Sequence, residues 1–385
     1  MLVAVAGGNL QGVEVAYLAR KAGWDVLVVD KNPEAPASGM CHWFVQQDLR
    51  EAQHLGALFA KADLLIPALE NDAALASLAR CARANDIPFA FDPAAYAVSS
   101  SKQTSDSLFA RSGIPVPISW PDCSLPVIVK PSRASGSEDI SIFHDRDAVD
   151  DFLRQSPGEW VVQAYMPGPT YSLEVLGRNG DYLLPQVTDL HMDAQYDCRA
   201  VTGPTLLAPE LVETFETLSL EIARLIDLNG LMDVEVVENN GELRVLEIDA
   251  RFPSQTPTAV YHSTGFNMVE ALGNLFMHGR LPAMTVPPFP EQGHARGVVY
   301  EHIRVTGTTL GFSGEHIMSQ AGPLRRVPDF YGADEAITNY REGRDQWEAT
   351  LIVIGKDRQT AMHKRKQVLD TIKRDFNLKG NIAKL

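Results

Sequence analysis

Residues Gly230 to Pro257 read GLMDVEVVENNGELRVLEIDARFPSQTP. Apolar and polar side chains alternate through Leu231 to Val237 and again through Leu243 to Ile248, with Asn239-Asn240-Gly241 between them. That pattern predicts two strands joined by a tight turn. Pairing across a turn at Asn240 sets Glu235 opposite Glu247, with Asp249 two residues on and facing the same side. Arg251 follows after two more. Hard carboxylate oxygens beside a guanidinium are what a Mg²⁺-bound polyphosphate requires: the acids hold the metal, the arginine the phosphate oxygens. A solvated hairpin edge with surface acids is the plainer reading, and the apolar neighbours argue against it.

Outward from this stretch, composition bounds the rest. A chain of 385 residues predicts two or three domains, each able to bury a core without disulfides. No apolar run approaches membrane-spanning length, and the opening MLVAVAGG enters a strand with no basic leader, so a cytoplasmic protein is expected. Cys41, Cys81, Cys123 and Cys198 lie far apart and form no C-x-x-C, which predicts unpaired thiols. A formal net charge of -15 argues against non-specific binding to nucleic acid or anionic membrane and suits a cationic small-molecule ligand.

Upstream, residues 1 to 30 read as a βαβ unit: apolar Leu2 to Ala6, the turn Gly7 to Gly12, a helix Val13 to Ala22 ended by Gly23, and a buried strand Val26 to Val29 closed by Asp30. An acid there invites a dinucleotide reading with Asp30 on a ribose hydroxyl, but the glycines run G-G-x-x-x-G, not G-x-G-x-x-G. Helix Ala52 to Ala60, strand Leu64 to Pro67, helix Asp72 to Asn85 and strand Phe89 to Phe91 continue the alternation. The first domain is therefore placed at 1–98, with Gln11, Asp30 and Glu70 at the strand ends where ligands sit in such sheets.

A helix Lys102 to Ser112 and a stiff connector lead to Pro126 to Pro131, a buried strand with Lys130 at its end. The loop Ser132 to Asp139 follows, and the backbone N–H groups around Ser135, Gly136 and Ser137 can fold over phosphates while Lys130 neutralises them. Strand Ile140 to Phe143, helix Asp147 to Gln155 and strand Trp160 to Tyr165 complete a small lobe, 99–170, with a hinge at Met166 to Pro169. In the last lobe, 171–385, strands are expected at Tyr171 to Leu176 and Tyr182 to Leu190, then a polar segment His191 to Thr202 and a helix Pro209 to Asp227. His191, Asp193 and Asp197 fit no zinc spacing, which leaves acidic substrate recognition or loop capping. After the hairpin come helix Met268 to His278, a Pro-rich connector Pro282 to Pro290, strand Val298 to Ile303 and an irregular region to 345. Strand Trp347 to Ile354 and helix Thr360 to Asp375 close the chain, with Lys364-Arg365-Lys366 read as a solvated face.

Taken in order, Lys102 before its helix, Lys130 in PVIVKPS, the Ser/Gly loop, the strand WVVQAYMPG, and Glu235, Glu247, Asp249 and Arg251 resemble the ATP-grasp ligases. The closing TLIVIGKDRQTAMHKRKQVL is similar to the last strand and helix of that superfamily's carboxylase branch. The resemblance implies an α/β ATP-grasp fold with an N-terminal Rossmann-like domain, and ATP and Mg²⁺ as cofactors. Lys102 and Lys130 would contact the phosphates, the backbone of Gln163, Ala164 and Tyr165 the adenine, and Glu174 is a candidate for the ribose. Glu235, Glu247 and Asp249 would bind the metal, with Arg251 on the transferring phosphate. Phosphorylation of a carboxylate to an acyl phosphate, then attack by an amine, needs no side-chain nucleophile, in keeping with the lack of a Ser-His-Asp or Cys-His arrangement.

The runs LQGVEVAYLARKAGWDVLVVDKNP, YDCRAVT, LMDVE and LEIDARFPSQTPT resemble the pyrrolysine-pathway branch of these ligases. That implies 3-methyl-D-ornithine, through its carboxylate, and L-lysine, through its ε-amine, as substrates. Both are cations, and Glu70, Asp193, Asp197 and Asp233 offer acids around the cleft. Ser254 would hold the carboxylate to be activated, with lysine entering near Gln11 and Glu70. A carboxylase or another amino-acid ligase, an NAD-linked dehydrogenase and a non-catalytic diamino-acid sensor remain alternatives at this point.

Overall fold

The computed structural model describes residues 1–51, 55–133, 139–281, 295–379 and 382–385. Among these, the strands form three sheets. The first is parallel, in the order β3-β2-β1-β4, from β1 (Leu2–Ala6), β2 (Asp25–Asp30), β3 (Trp43–Gln46) and β4 (Leu64–Pro67). Val3 and Val5 pack with α1 (Leu10–Lys21) on one face, and Ala4 and Ala6 with α2 (Leu55–Phe59) and α3 (Asp72–Ala84) on the other. Burial on both faces is why these strands read as apolar runs. β3 went unread in the sequence, and the expected strand Phe89 to Phe91 shrinks to a single bridge between Phe89 and Leu65. Asp30 is spent on its own turn: its carboxylate accepts from Gly8 N at 2.7 Å and Asn32 N at 2.8 Å. Gly7, at φ +114°, lies where a Cβ would come 2.3 Å from the Ala68 carbonyl oxygen, so this glycine serves close packing.

After α4 (Pro93–Ser99) and α5 (Lys102–Ser112), a second, antiparallel sheet is built from β5 (Val127–Pro131), β6 (Ser141–Phe143) and β7 (Trp160–Ala164), in the order β6-β5-β7. The helix α6 (Arg146–Gln155) packs on it. Ala95, Phe109 and Ile114, from α4, α5 and the connector, are buried in the core beneath the third sheet.

That third sheet runs β13-β12-β8-β10-β11-β14-β18-β17-β16, all antiparallel. Its strands are β8 (Thr170–Arg178), β9 (Asp181–Leu183), β10 (Thr188–Met192), β11 (Cys198–Gly203), β12 (Gly230–Asn239), β13 (Glu242–Asp249), β14 (Gly297–Thr306), β15 (Thr309–Phe312), β16 (Arg325–Phe330), β17 (Ala333–Thr338) and β18 (Gln346–Gly355). Its helices are α7 (Pro209–Leu225), α8 (Thr256–Thr264), α9 (Met268–His278), α10 (His316–Ser319) and α11 (Arg358–Asp375). The expected strand Tyr182 to Leu190 is split into β9 and β10, the polar segment after it holds β11, and the region read as irregular holds β15, β16 and β17. The solvated reading of Arg365 is corrected too: it is 4% exposed and paired with the buried Glu301 at 2.5 Å.

In the β12–β13 hairpin, Asn239 pairs with Glu242 around a two-residue loop, Asn240 and Gly241, at φ +54° and +81°. Positive φ at both positions is the geometry that twists with the strands. From there the ladder matches Val237 with Arg244 and Val236 with Val245, then shifts by one residue. Leu246 is the extra residue, and Glu235 meets Glu247, Val234 meets Ile248, and Asp233 meets Asp249. Without this β-bulge Glu235 would face Leu246, and Glu247 and Asp249 would turn into the core. Sequence pairing therefore reached the right partners, but an uninterrupted alternation could not have produced them.

Candidate active site

The small sheet and the large sheet face each other across a cavity of about 570 Å³. Ile128, Lys130, Gln163, Ala164 and Tyr165 line it from one side, and Leu190, His191, Glu235, Val237, Leu246 and Glu247 from the other. Lys102 enters from the start of α5, which is tied to the end of β5 by Lys102 N donating to the Ser132 carbonyl oxygen at 2.9 Å. A second cavity, about 90 Å³, continues past the hairpin carboxylates and is lined by Asp197, Asp233, Glu235, Glu247, Asp249, Arg251 and Ser254. Glu235 and Glu247 thus stand at the junction of the two.

Charge is densely arranged there. Lys102 Nζ lies 2.7 Å from Glu247 Oε2, and Lys130 Nζ donates to the Leu246 carbonyl oxygen at 3.0 Å, a group the bulge turns toward the small lobe. Burial pushes the Lys130 ammonium below its ordinary value. Burial also opposes the Glu247 charge, but Lys102 and Lys130 hold its carboxyl below the usual carboxylate range. Glu235 is pushed well above that range by burial and by repulsion from Glu247, Asp233 and Asp249. Asp249 is pushed up to about 7 by burial, against the pull of Arg251, whose Nη2 lies 2.8 Å from Asp249 Oδ2.

Several expected site residues take other roles. Among the described residues, no three His, Cys, Asp or Glu side chains converge closely enough to hold a metal ion. The ligand set expected at Glu235, Glu247 and Asp249 shares one face, but Glu247 and Asp249 are turned to Lys102 and Arg251. Glu70 and Gln11 line neither cavity; Glu70 Oε1 lies 2.7 Å from Arg251 Nε and accepts from Gln11 Nε2 at 2.8 Å, behind the arginine. Asp193 also lies off both cavities and holds loop backbone, accepting from Gln195 N at 2.8 Å and Gly314 N at 2.9 Å. Asp197 does line the second cavity, with His316 Nδ1 2.7 Å from its Oδ2. Asp233 accepts from Ser172 Oγ at 2.5 Å.

Glu174, a candidate for the ribose, is fully buried across the ladder from Asp233 and lines neither cavity. Burial and then Asp233 push it up to about 8. The amides of Ala164 and Tyr165 already donate to the carbonyl oxygens of Ile118 at 2.8 Å and Pro126 at 3.0 Å, so those two N–H groups are committed within the small lobe. Ser135, Gly136 and Ser137 lie outside the described residues.

Other residues complete the walls, among them His191, weighed in the sequence only beside Asp193 and Asp197. His191 Nε2 and Thr202 Oγ1 are 2.8 Å apart, and burial pushes His191 down to about 4. Tyr196 lines both cavities and packs edge-on against Tyr165, ring centroids 6.2 Å apart. Arg199 and Arg358 also line the large cavity. Glu315, from the region read as irregular, reaches the small one. Arg199 was visible in the run YDCRAVT, whereas nothing local marked Glu315.

The ATP-grasp domain family matches residues 99–255. Over 376 residues the chain is 34% identical to the 3-methyl-D-ornithine–L-lysine ligase of Methanosarcina mazei, a match that covers 97% of this chain and 96% of that relative. Among solved structures, the biotin carboxylase–beta-gamma-ATP complex from Campylobacter jejuni superposes with a TM-score of 0.74 at 15% identity, covering 96% of this chain and 91% of that one. An L-amino acid ligase from Bacillus licheniformis gives a TM-score of 0.71 at 15% identity, over 96% and 97% of the two chains. At such identities these structures establish the shared fold.

Proposed function

We propose that this chain, which belongs to the 3-methyl-D-ornithine–L-lysine ligase family of the ATP-grasp enzymes, joins the carboxylate of 3-methyl-D-ornithine to the ε-amine of L-lysine with conversion of ATP to ADP and phosphate, as a cytoplasmic step of pyrrolysine biosynthesis. The observation that carries this reading is the junction of a nucleotide-sized cavity with a small, acid-lined one at Glu235 and Glu247. ATP occupies the larger cavity, with its adenine against the Gln163 to Tyr165 segment and its phosphates toward Lys102 and Lys130. The ornithine carboxylate sits in the smaller one, between Arg251 and Ser254. Residues 99–170 act as the lobe that closes over 171–385, while 1–98 backs the substrate side.

Glu235, Glu247 and Asp249 are the hard oxygen groups that would hold Mg²⁺ once Glu247 and Asp249 turn from Lys102 and Arg251: they share one face, and their mutual repulsion is what a divalent cation would relieve. When bound, the ion supplies charge neutralisation at the phosphates. The chain's own groups do the rest. Lys102, Lys130 and Arg251 spread the negative charge of the transferring phosphoryl group, which passes from ATP to the ornithine carboxylate, leaving ADP and giving an acyl phosphate. The lysine ε-amine, having lost a proton, forms the new C–N bond, and phosphate leaves. A closed small lobe keeps water from the activated carbonyl.

The test is to incubate the purified protein with ATP, Mg²⁺, L-lysine and D-ornithine or its 3-methyl derivative, and to weigh the products. An ornithyl-lysine mass accompanied by ADP is expected. AMP, bicarbonate-dependent ADP release, or no condensation product overturns the assignment.

A further inference from the structure

The segment before α10 brings Glu315 to the substrate end of the site. Glu315 lines both the 90 Å³ cavity and a recess of about 10 Å³ behind it. Its Oε2 is buried and makes no hydrogen bond within the described residues. The neighbouring backbone is pinned on both sides of it: Gly314 N donates to Asp193 Oδ2 at 2.9 Å, and His316 N and Nδ1 lie 3.3 and 2.7 Å from Asp197 Oδ2. Two acids first read as substrate ligands thus hold a third in place. A Cβ on Gly314 would come 1.7 Å from that same Asp197 oxygen, so the loop passes there only because residue 314 is glycine.

A carboxylate taken out of water without a partner is costly, and the cations nearby are already engaged. Among the described residues lining the small cavity and its recess, Arg251 supplies the positive charge, and it faces Glu70 and Asp249. Gln255, 5% exposed and at φ +70°, closes the wall beside Glu315, with its Oε1 3.1 Å from His302 Nε2. His302 is in turn fixed by Thr350 Oγ1, 2.8 Å from its Nδ1. The Glu315 oxygen is therefore left for a ligand.

A cavity lined by Arg251 and the hairpin acids and also by the buried, unpartnered Oε2 of Glu315 fits an amino acid carrying a second cation on its side chain. Its reacting carboxylate lies at Arg251, and its α-ammonium, one carbon away, stays beside the hairpin acids. That leaves the distal ammonium to meet the Glu315 oxygen. We infer that Glu315 receives the side-chain ammonium of the amino acid whose carboxylate is activated, and so restricts that substrate to diamino acids. This rests on the reaction proposed above.

The experiment compares D-ornithine with D-norvaline, the same chain without the distal amine, at saturating ATP and L-lysine. Wild type is expected to favour ornithine by about a hundredfold in kcat/KM, as loss of one partner of a desolvated charge pair implies. Glu315→Gln should raise the KM for ornithine by a similar factor, collapse the preference, and leave the KM values for ATP and lysine within about twofold; Glu315→Asp should restore part of the preference. An unchanged ornithine-to-norvaline ratio in Glu315→Gln overturns the inference, as does a joint rise of all three KM values, the mark of a structural role. Should that variant not fold, calorimetry on wild type with a non-hydrolysable ATP analogue decides the matter, since equal affinity for the two amino acids refutes it. Absence of ornithyl-lysine from wild type would instead count against the ligase assignment, and the calorimetric comparison would still judge Glu315.

Discussion

Removing the Glu247 charge should separate stability from chemistry. In Glu247→Gln, Lys102 loses its 2.7 Å partner and Lys130 the carboxylate that offsets its burial. The side chains of Lys102 and Glu247 are 15% and 26% exposed, so the pair is mostly desolvated. Breaking a buried pair by removing one member costs about 3–5 kcal/mol, and the remaining exposure brings the expectation here to about 2–3 kcal/mol. Asp249→Asn should behave differently. Asp249 is pushed up to about 7, so its charge is resisted in the folded state, and Arg251 keeps Glu70; the expected loss is under about 1 kcal/mol.

The signs with pH differ as well. Glu247 holds its proton more weakly when folded, so its stabilisation is complete above the ordinary glutamate value and fades as pH falls below about 4. Asp249 holds its proton more tightly when folded, so ionising it destabilises the protein increasingly as pH rises from about 4 to 7, and Asp249→Asn should gain on wild type across that window. Denaturant unfolding in EDTA at several pH values measures both, and ADP release measures turnover, which should fall by about a thousandfold or more in each variant. A Glu247→Gln protein with the wild-type midpoint, or an Asp249→Asn protein as weakened as Glu247→Gln, refutes this account of the site.

Two further outcomes follow from buried charge. Lys130→Met should lower kcat/KM for ATP by about a hundredfold to a thousandfold while leaving the melting temperature unchanged or higher, because an ammonium resisted by burial disappears; a coupled ADP assay and thermal melts check this. Glu335 receives Tyr17 Oη at 2.7 Å, Lys21 at 2.5 Å and Arg326 at 2.5 Å, joining α1 to β16 and β17. Glu335→Gln should cost about 2 kcal/mol without altering substrate KM values. The carboxyl is held down to about 2, so that contribution is present above the ordinary glutamate value and is lost as pH falls toward 2, where the difference from wild type in an acid unfolding series should close.

What was legible in the sequence was mostly local. Asn240-Gly241 dictated its turn, the apolar run Val127 to Val129 announced a buried strand, and Gly23, at φ +76°, marked the end of the first helix. The bulge was legible as well, though it was passed over: the core-facing residues of β13 are Leu243, Val245 and Ile248, and the three-residue step between Val245 and Ile248 is its signature. Long-range partnerships were not. Arg365 reads as one of three basic residues in a row until Glu301, on a distant strand, takes it inside. Glu174 and Asp233 are paired across β8 and β12, yet of the two only Asp233 lines a cavity, a difference that no local pattern marks. Glu315 follows a Gly-rich turn in a stretch with no clear period, and its role depends on Asp193 and Asp197, over a hundred residues earlier.

β13 is the outermost strand of the large sheet, hydrogen-bonded along one side to β12, while Pro115 and Ser99 reach its other side through Val245 N at 2.8 Å and Ala250 N at 3.0 Å. An extra residue in an interior strand would have to be absorbed by two ladders, but here it disturbs one. The same irregularity bends an otherwise open border and, with the covering segment, denies it to the strand of another molecule. The acids that face the cavity therefore occupy the part of the sheet most tolerant of a register change, and the feature that aims them also guards the chain against edge-to-edge association.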